Sequence, residues 1–453
     1  MNLPNYFLAD LPPEATLSVS MVQEACQTLK RNRKRYLAQR STQGIVELLS
    51  AVAAEWIKPE YPFRKLALEQ GPASTGFSEP TLAAGLDNFF KALTSEAVEA
   101  LLKQDLGHVQ RLDQMSSNEA EAKTRRASVV IAPELMVHIA AGNLPNPAFM
   151  SIVLGVLVRS AQFMKCATGT ALLPRLFAHS LYDTDPKLGA CLEIAEWPGG
   201  SNEIETALFE QAGCVTATGS DETLASIRTR IPHNIHFLGY GHRVSFAYIS
   251  NKALSVARER ILLPQAATDV IAWNQLGCLS PHVIYVQEGG SLGPEHFAEL
   301  LARELERRET IEPRGDLPVQ AAAAISSRRS IYEMRAAHSP ATHVWCSKNS
   351  TAWTVVYEAD PRFQLSCLNR FIYVKLAKDL THALQSADSI KGKVSTVGVA
   401  APKEDAHQLV TELARWGVTR VCPLGQMQSP PLPWRHDGHP TLADLVTWTD
   451  WEQ

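Results

Sequence analysis

The chain has 453 residues, 45% of them hydrophobic, and a formal net charge of -4. That length suits about two or three hydrophobic cores in an ordinary globular protein, and the charge balance excludes an electrostatic footprint for nucleic acid. The one basic run, Lys30-Arg31-Asn32-Arg33-Lys34-Arg35, sits inside an amphipathic pattern and reads as a solvated helix face. Met1 to Asp10 lacks a basic region followed by an apolar core, and no stretch approaches the apolar length of a membrane span, so a cytoplasmic protein is expected. Eight cysteines, at 26, 166, 191, 214, 278, 346, 367 and 422, include no C-x-x-C pair, which suits reduced thiols better than a disulfide frame or a zinc site.

In chain order, residues 1–127 read as mostly helical, and residues 128–243 alternate strand-like and helix-like segments. Strands are expected at 137–141, 162–166, 191–195, 214–218 and 235–238, with helices starting near Pro147, Leu173, Ser201 and Asp221. This βαβαβαβαβ order predicts a mainly parallel, doubly wound sheet with ligands at the carboxyl ends of its strands. From Val244 to 420 the pattern restarts as a second α/β lobe, with strands at 244–249, 282–287, 354–357, 371–374 and 394–399 and an amphipathic helix over 295–308. Residues 421–453 form a tail rich in proline and tryptophan, and no clear linker separates the parts.

Several patterns carry chemistry. Gly239-Tyr240-Gly241-His242-Arg243-Val244 follows a strand but lacks the third glycine and the following helix of a dinucleotide fingerprint. Thr218-Gly219-Ser220-Asp221 joins a strand to a helix whose first N–H groups suit a pyrophosphate, or whose acidic first turn merely complements the helix dipole. Asn143, in Gly142-Asn143-Leu144-Pro145-Asn146-Pro147, offers an amide at the ligand edge; the alternative is a turn asparagine bonding its own backbone. Lys165, near a strand end, is placed to meet a ribose or phosphate or else snorkels to the surface. The histidines at 233, 236 and 242, and at 436 and 439, lack convincing companions, and no metal is expected. Asn274-Gln275-Leu276-Gly277-Cys278-Leu279-Ser280-Pro281 puts a cysteine on a tight turn, where it is either a presented nucleophile or a small buried hydrophobe.

The order of these motifs, together with Glu196-Trp197-Pro198-Gly199-Gly200, Arg420-Val421-Cys422-Pro423-Leu424-Gly425 and Trp434-Arg435-His436-Asp437-Gly438, resembles the aldehyde dehydrogenase superfamily and, within it, the LuxC-type acyl-CoA or acyl-protein thioester reductases. The resemblance runs from about Val129 to the C-terminus. It implies an aldehyde dehydrogenase-like α/β fold, with a cofactor-binding lobe and a catalytic lobe whose parallel sheets are covered by helices. Reduction of a fatty acyl thioester to an aldehyde by NADPH is the implied activity. Cys278 matches the acylated nucleophile, and Asn143 matches the amide that shares the oxyanion with the Cys278 N–H. Lys165 matches the cofactor-ribose lysine, Gly219 and Ser220 match the pyrophosphate turn, and His242 is either a proton donor or a structural histidine.

Three departures matter. Gly239 replaces the glutamate that activates water in oxidising aldehyde dehydrogenases, so the acyl-enzyme is expected to resist hydrolysis. The superfamily's Glu-x-Phe-Gly-Pro is missing, and the nearest stretch, Leu365-Ser366-Cys367-Leu368-Asn369-Arg370, leaves the nicotinamide-ribose contact unassigned. Thr168 stands where the superfamily often carries a glutamate that repels a 2′-phosphate, which favours NADPH. The implied partners are a fatty acyl-CoA or acyl-carrier thioester, an acyl-protein synthetase and, as is usual in the superfamily, further copies of the chain. An NAD(P)-dependent oxidising aldehyde dehydrogenase and a non-catalytic acyl-binding protein are the alternatives.

Overall fold

The computed structural model describes residues 3–12, 14–142 and 144–452. The first hundred residues are helical because most of the helices have a capped start, Pro62–Thr75 opening instead on a proline, and each buries an apolar face. Ser41 caps Thr42–Ile57 through the Gly44 N–H, Ser78 caps Glu79–Ala92 and Thr94 caps Ser95–Leu106. Their buried faces, with Leu49, Trp56, Leu86, Phe90 and Leu101, merge with the first α/β lobe into one core. The basic run ends the helix Val19–Asn32, and Arg33 turns inward to donate to the Arg159 carbonyl at 2.7 Å, so that run is only partly a solvated face.

Fourteen strands occur among the described residues: β1 Arg126–Ile131, β2 Leu135–Ile139, β3 Ala161–Cys166, β4 Leu192–Glu196, β5 Cys214–Thr218, β6 His236–Tyr240, β7 Val244–Ile249, β8 Pro281–Gln287, β9 Thr342–Cys346, β10 Thr354–Glu358, β11 Phe371–Ala377, β12 Val394–Ala400, β13 Arg420–Pro423 and β14 Thr447–Glu452. Five form a parallel sheet in the order β4-β3-β2-β5-β6. The chain reverses its winding between β2 and β5, the place where such sheets bind ligands. β2 stops two residues earlier than expected, which frees Ala140 to Gly142 for the turn at that edge.

The second sheet has seven strands in the order β13-β12-β7-β8-β11-β10-β9, parallel except for β9 against β10. Apolar side chains cover both faces: Ile284, Val286 and Val355 on one, Val283, Tyr285 and Tyr373 on the other. The tail is part of this architecture. Residues 420–423 add an edge strand to the second sheet, and β14 runs back to pair antiparallel with β1. No helix among the described residues is long and apolar enough to cross a membrane.

Candidate active site

The carboxyl edge of the first sheet faces the amino edge of the second, and Cys278 lies where they meet. The single-turn helix Ala272–Gln275 leads into it, the Ser280 N–H closes a turn on the Gly277 carbonyl at 2.9 Å, and β8 follows. Trp273, Asn274 and Gln275 all have positive φ, at 51°, 51° and 64°. Three such residues in a row cost roughly 1–2 kcal/mol each, so the surroundings must hold them. Asn274 donates to the Arg314 carbonyl at 2.8 Å and accepts from Arg370 Nε at 3.1 Å, while Gln275 Nε2 donates to the carbonyls of Pro281 (2.7 Å) and Phe371 (3.0 Å). The buried Trp273 ring lies 5.2 Å from Phe77, in the link between the helices Pro62–Thr75 and Glu79–Ala92, so the N-terminal part of the chain braces the cysteine turn.

Of the eight cysteines, all within the described residues, Cys278 is the exposed one; the reading as a buried hydrophobe does not hold. Its carbonyl accepts from Ser245 Oγ at 2.7 Å, which ties it to the start of β7. The crowding of protein around the thiol, followed by the negative charge of Asp437, pushes its pKa up to about 12. The N–H groups of Cys278 and Leu279 and the Arg243 guanidinium act in the opposite direction. A thiolate here already has backbone donors at hand.

Beside the turn lies a cavity of about 580 Å³, lined by Phe77, Leu144, Ala148, Leu173, Leu276 and Leu317 among others. Its size and apolar lining match a pocket for an organic chain. Leu276 belongs to the cysteine turn and Leu144 to the turn after β2. A methyl on Gly277 would lie 3.3 Å from Leu144 Cδ1 and 3.0 Å from Gln428 Oε1, so the two lobes touch where glycine leaves room. Asn143 falls outside the described residues.

The expected cofactor residues gather along the carboxyl edge of the first sheet. Lys165, next to last in β3, is buried, with its ammonium 6.0 Å from the Trp197 ring and no hydrogen-bonded or ionic partner among the described residues. Burial lowers its pKa, and Glu205 opposes that shift. Thr168 is exposed on the loop after β3. That loop is pinned by Glu196, whose carboxylate accepts the N–H groups of Gly169 (2.7 Å) and Ala171 (3.2 Å). Gly219 donates to the Tyr240 carbonyl at 3.2 Å, and Ser220 caps the helix Asp221–Arg230. Side chains added at Gly169, Gly199 or Gly200 would meet nothing within 4 Å, which leaves an open shelf above the strand ends. This shelf and the unpartnered lysine fit a dinucleotide. Asp221 and Glu222 at the helix start oppose a phosphate there, although Asp221 is turned to the His242 N–H at 3.0 Å. His242 is exposed. Among the described residues no three metal-ligating side chains gather.

Sequence reasoning missed three contributors. His282 is buried, its Nδ1 accepts the Ser366 N–H at 3.1 Å, and burial with the nearby His242 pushes its pKa down to about 4. The segment Trp434 to Gly438 folds back to the cleft: His436 stacks on Tyr240 at 4.5 Å, and Asp437 pairs with Arg243 at 3.3 Å. The N-terminal stretch from Ser74 to Phe77 lines the cavity. The Trp-Arg-His-Asp-Gly motif was the one available signal for the second, and nothing in local pattern pointed to the others.

A family model described as acyl-CoA reductase (LuxC) matches residues 37–448, and the chain belongs to that family. A long-chain acyl-protein thioester reductase of Aliivibrio fischeri is 23% identical over 421 residues, covering 90% of this chain and 82% of that protein. Among solved structures, the putative aldehyde dehydrogenase PutA from Anabaena variabilis superposes with a TM-score of 0.69 at 14% identity, covering 96% of this chain and 93% of the other. An NADP-dependent glyceraldehyde-3-phosphate dehydrogenase from Bacillus halodurans, complexed with NADP, gives 0.68 at 14% identity, covering 96% and 92%. These two likenesses establish the aldehyde dehydrogenase-like fold expected from the motifs.

Proposed function

We propose that this member of the acyl-CoA reductase family reduces a fatty acyl thioester to an aldehyde through an S-acyl intermediate on Cys278, with NADPH as the reductant. The observation that carries the reading is an exposed cysteine on a braced turn, set beside an apolar cavity that the same turn helps to line. The Cys278 thiolate attacks the acyl carbon and displaces the donor thiol, so one thioester replaces another. A bound reduced nicotinamide would supply hydride to that carbon. Asn143 and the Cys278 N–H hold the resulting oxyanion, where losing one such donor costs about a hundredfold or more in rate. Collapse expels the Cys278 sulfur and releases the aldehyde, with His242, exposed beside the cleft, as proton donor.

Lys165 would hold the ribose and Gly219 with Ser220 the pyrophosphate. NADPH is supported by the neutral Thr168 and the free charge of Lys165. NADH is a second reading, favoured by the Glu196 carboxylate, which accepts the N–H of Gly169, the residue after Thr168. The donor is acyl-CoA or an acyl carrier, and an acyl-protein synthetase is the proposed supplier. A homo-oligomer is proposed from the exposed Ile131 and Trp451 on the β1–β14 ribbon, and a cytoplasmic setting from the eight free thiols. The test is incubation with acyl-CoA, with and without NADPH. Aldehyde formation that requires NADPH supports the reading. Free acid would point to an oxidising or hydrolytic enzyme, and no product to a non-catalytic acyl-binding protein.

A further inference from the structure

The cysteine turn is wired to the C-terminal segment by a short chain of contacts. Ser245 Oγ donates to the Cys278 carbonyl at 2.7 Å and accepts the Thr396 N–H at 3.1 Å. On one side of this knot, two residues before Ser245, stands Arg243. On the other, one residue before Thr396, Ser395 Oγ donates to Asp437 Oδ1 at 3.1 Å. Asp437 closes the circuit, its Oδ2 lying 3.3 Å from Arg243 Nε, and its side chain is only 5% exposed. Its backbone is held at φ 52°, and the neighbouring His436 is clamped between Tyr240 and Trp434 at 4.5 and 4.8 Å. The carboxylate is therefore fixed in place.

We propose that Asp437 and Arg243 form a charge-setting pair for Cys278, in which Asp437 is a positioning residue that holds the guanidinium beside the cysteine turn. The proposal rests on Cys278 being the nucleophile. The charges that act on this thiol are Asp437 from the tail, which raises its pKa after burial has done so, Arg243 from the approach to β7, which lowers it, and Arg420 from β13. Arg420 is tied to the carbonyls of Met427 (2.6 Å) and Gln426 (2.8 Å), so its charge is a fixed background. His436, which faces Asp437, Arg243 and His439, is held toward its neutral form by burial. That leaves the pair as the local source of opposed charges. An exposed thiol is prone to oxidation in proportion to its thiolate content. Burial lowers that content first and Asp437 lowers it further, and a thiol of higher pKa is also the stronger nucleophile once deprotonated.

The test measures the alkylation rate of Cys278 by iodoacetamide in the full-length chain, followed by mass spectrometry between about pH 7 and 9, where rate follows thiolate fraction. Asp437→Asn keeps the acceptor for Ser395 and removes the charge; it should speed alkylation about tenfold, the equivalent of one pKa unit. Arg243→Gln should slow it by about the same factor, and the double variant should return to within about threefold of wild type. A purely structural role would move both single variants in the same direction. Asp437→Asn that alkylates at or below the wild-type rate overturns the proposal. If that variant does not fold, an unslowed Arg243→Gln does so. Alkylation reports on the thiol alone, so acyl labelling found at another cysteine would instead sink the assignment of the nucleophile.

Discussion

Gly85 sits in the middle of an exposed-start helix, Glu79–Ala92, where alanine would ordinarily stabilise by roughly 0.5–1 kcal/mol. Here the outcome should reverse. A Cβ on Gly85 would fall 2.7 Å from Trp273 Cε2 and nearer still to Cζ2 and Cη2. Ordinary carbon contacts lie at about 3.5–4.0 Å, so the indole must retreat by at least about 1 Å. Overpacking of that kind costs typically about 1–3 kcal/mol, which outweighs the helix gain and leaves a net loss on the order of 1 kcal/mol. Trp273 opens the left-handed run that delivers Cys278, and a displacement of about 1 Å at a reacting group can cost about a hundredfold. Gly85→Ala should therefore lower stability in urea unfolding and slow single-turnover acylation at least about tenfold. A variant that gains stability and acylates at the wild-type rate would refute the idea that this helix braces the cysteine turn.

Gly239→Glu places a carboxylate at the position that the sequence resemblance matches to the water-activating glutamate of oxidising aldehyde dehydrogenases. Its Cβ must ease past Phe237 at 3.1 Å and Leu224 at 3.3 Å, and released fatty acid should rise relative to aldehyde, as product analysis will tell. Thr168→Glu should weaken NADPH use while sparing NADH, read as the ratio of kcat/KM for the two; an unchanged ratio would remove Thr168 from the cofactor site. His138, buried between Thr216 (2.7 Å) and Gln162 (3.1 Å), has its pKa pushed down to about 4 by burial. A depressed histidine contributes stability that is present above about pH 6.5 and is lost as pH falls toward 4, on the order of 3 kcal/mol in all. Denaturant unfolding of His138→Gln against wild type across that window should show a flatter acid limb in the variant.

The alternating core was legible because its strands are short apolar runs bounded by turns: 214–218 and 244–249 appear with the limits that the residues suggest. β1 and β14 were not, because β14 is exposed along its whole length and β1 buries neighbouring residues without a simple alternation, so apolar and polar side chains do not sort by face. β9 and the helix Val319–His338 escaped for a similar reason, since partial burial leaves little contrast between faces. In the site, Cys278 and the strand-end residues could be read because chemistry and sequence position coincide there. The role of Asp437 could not: it depends on a tail that returns to meet Arg243, far back along the chain, as well as Ser395, and long-range closure of this kind leaves no local period. Gly85 was equally silent, since only the approach of Trp273 from the other lobe gives that glycine a meaning.

The central claim is that Cys278 carries the acyl group. Wild-type protein incubated with radiolabelled acyl-CoA and no reduced cofactor should accumulate one labelled peptide, containing Cys278, with little free acid over many minutes, and addition of NADPH should discharge the label as aldehyde. Cys278→Ser should abolish both labelling and reduction, because a serine hydroxyl is far less ionised than a thiol. Retained acylation in that variant, or label on any of the other seven cysteines, would contradict the account.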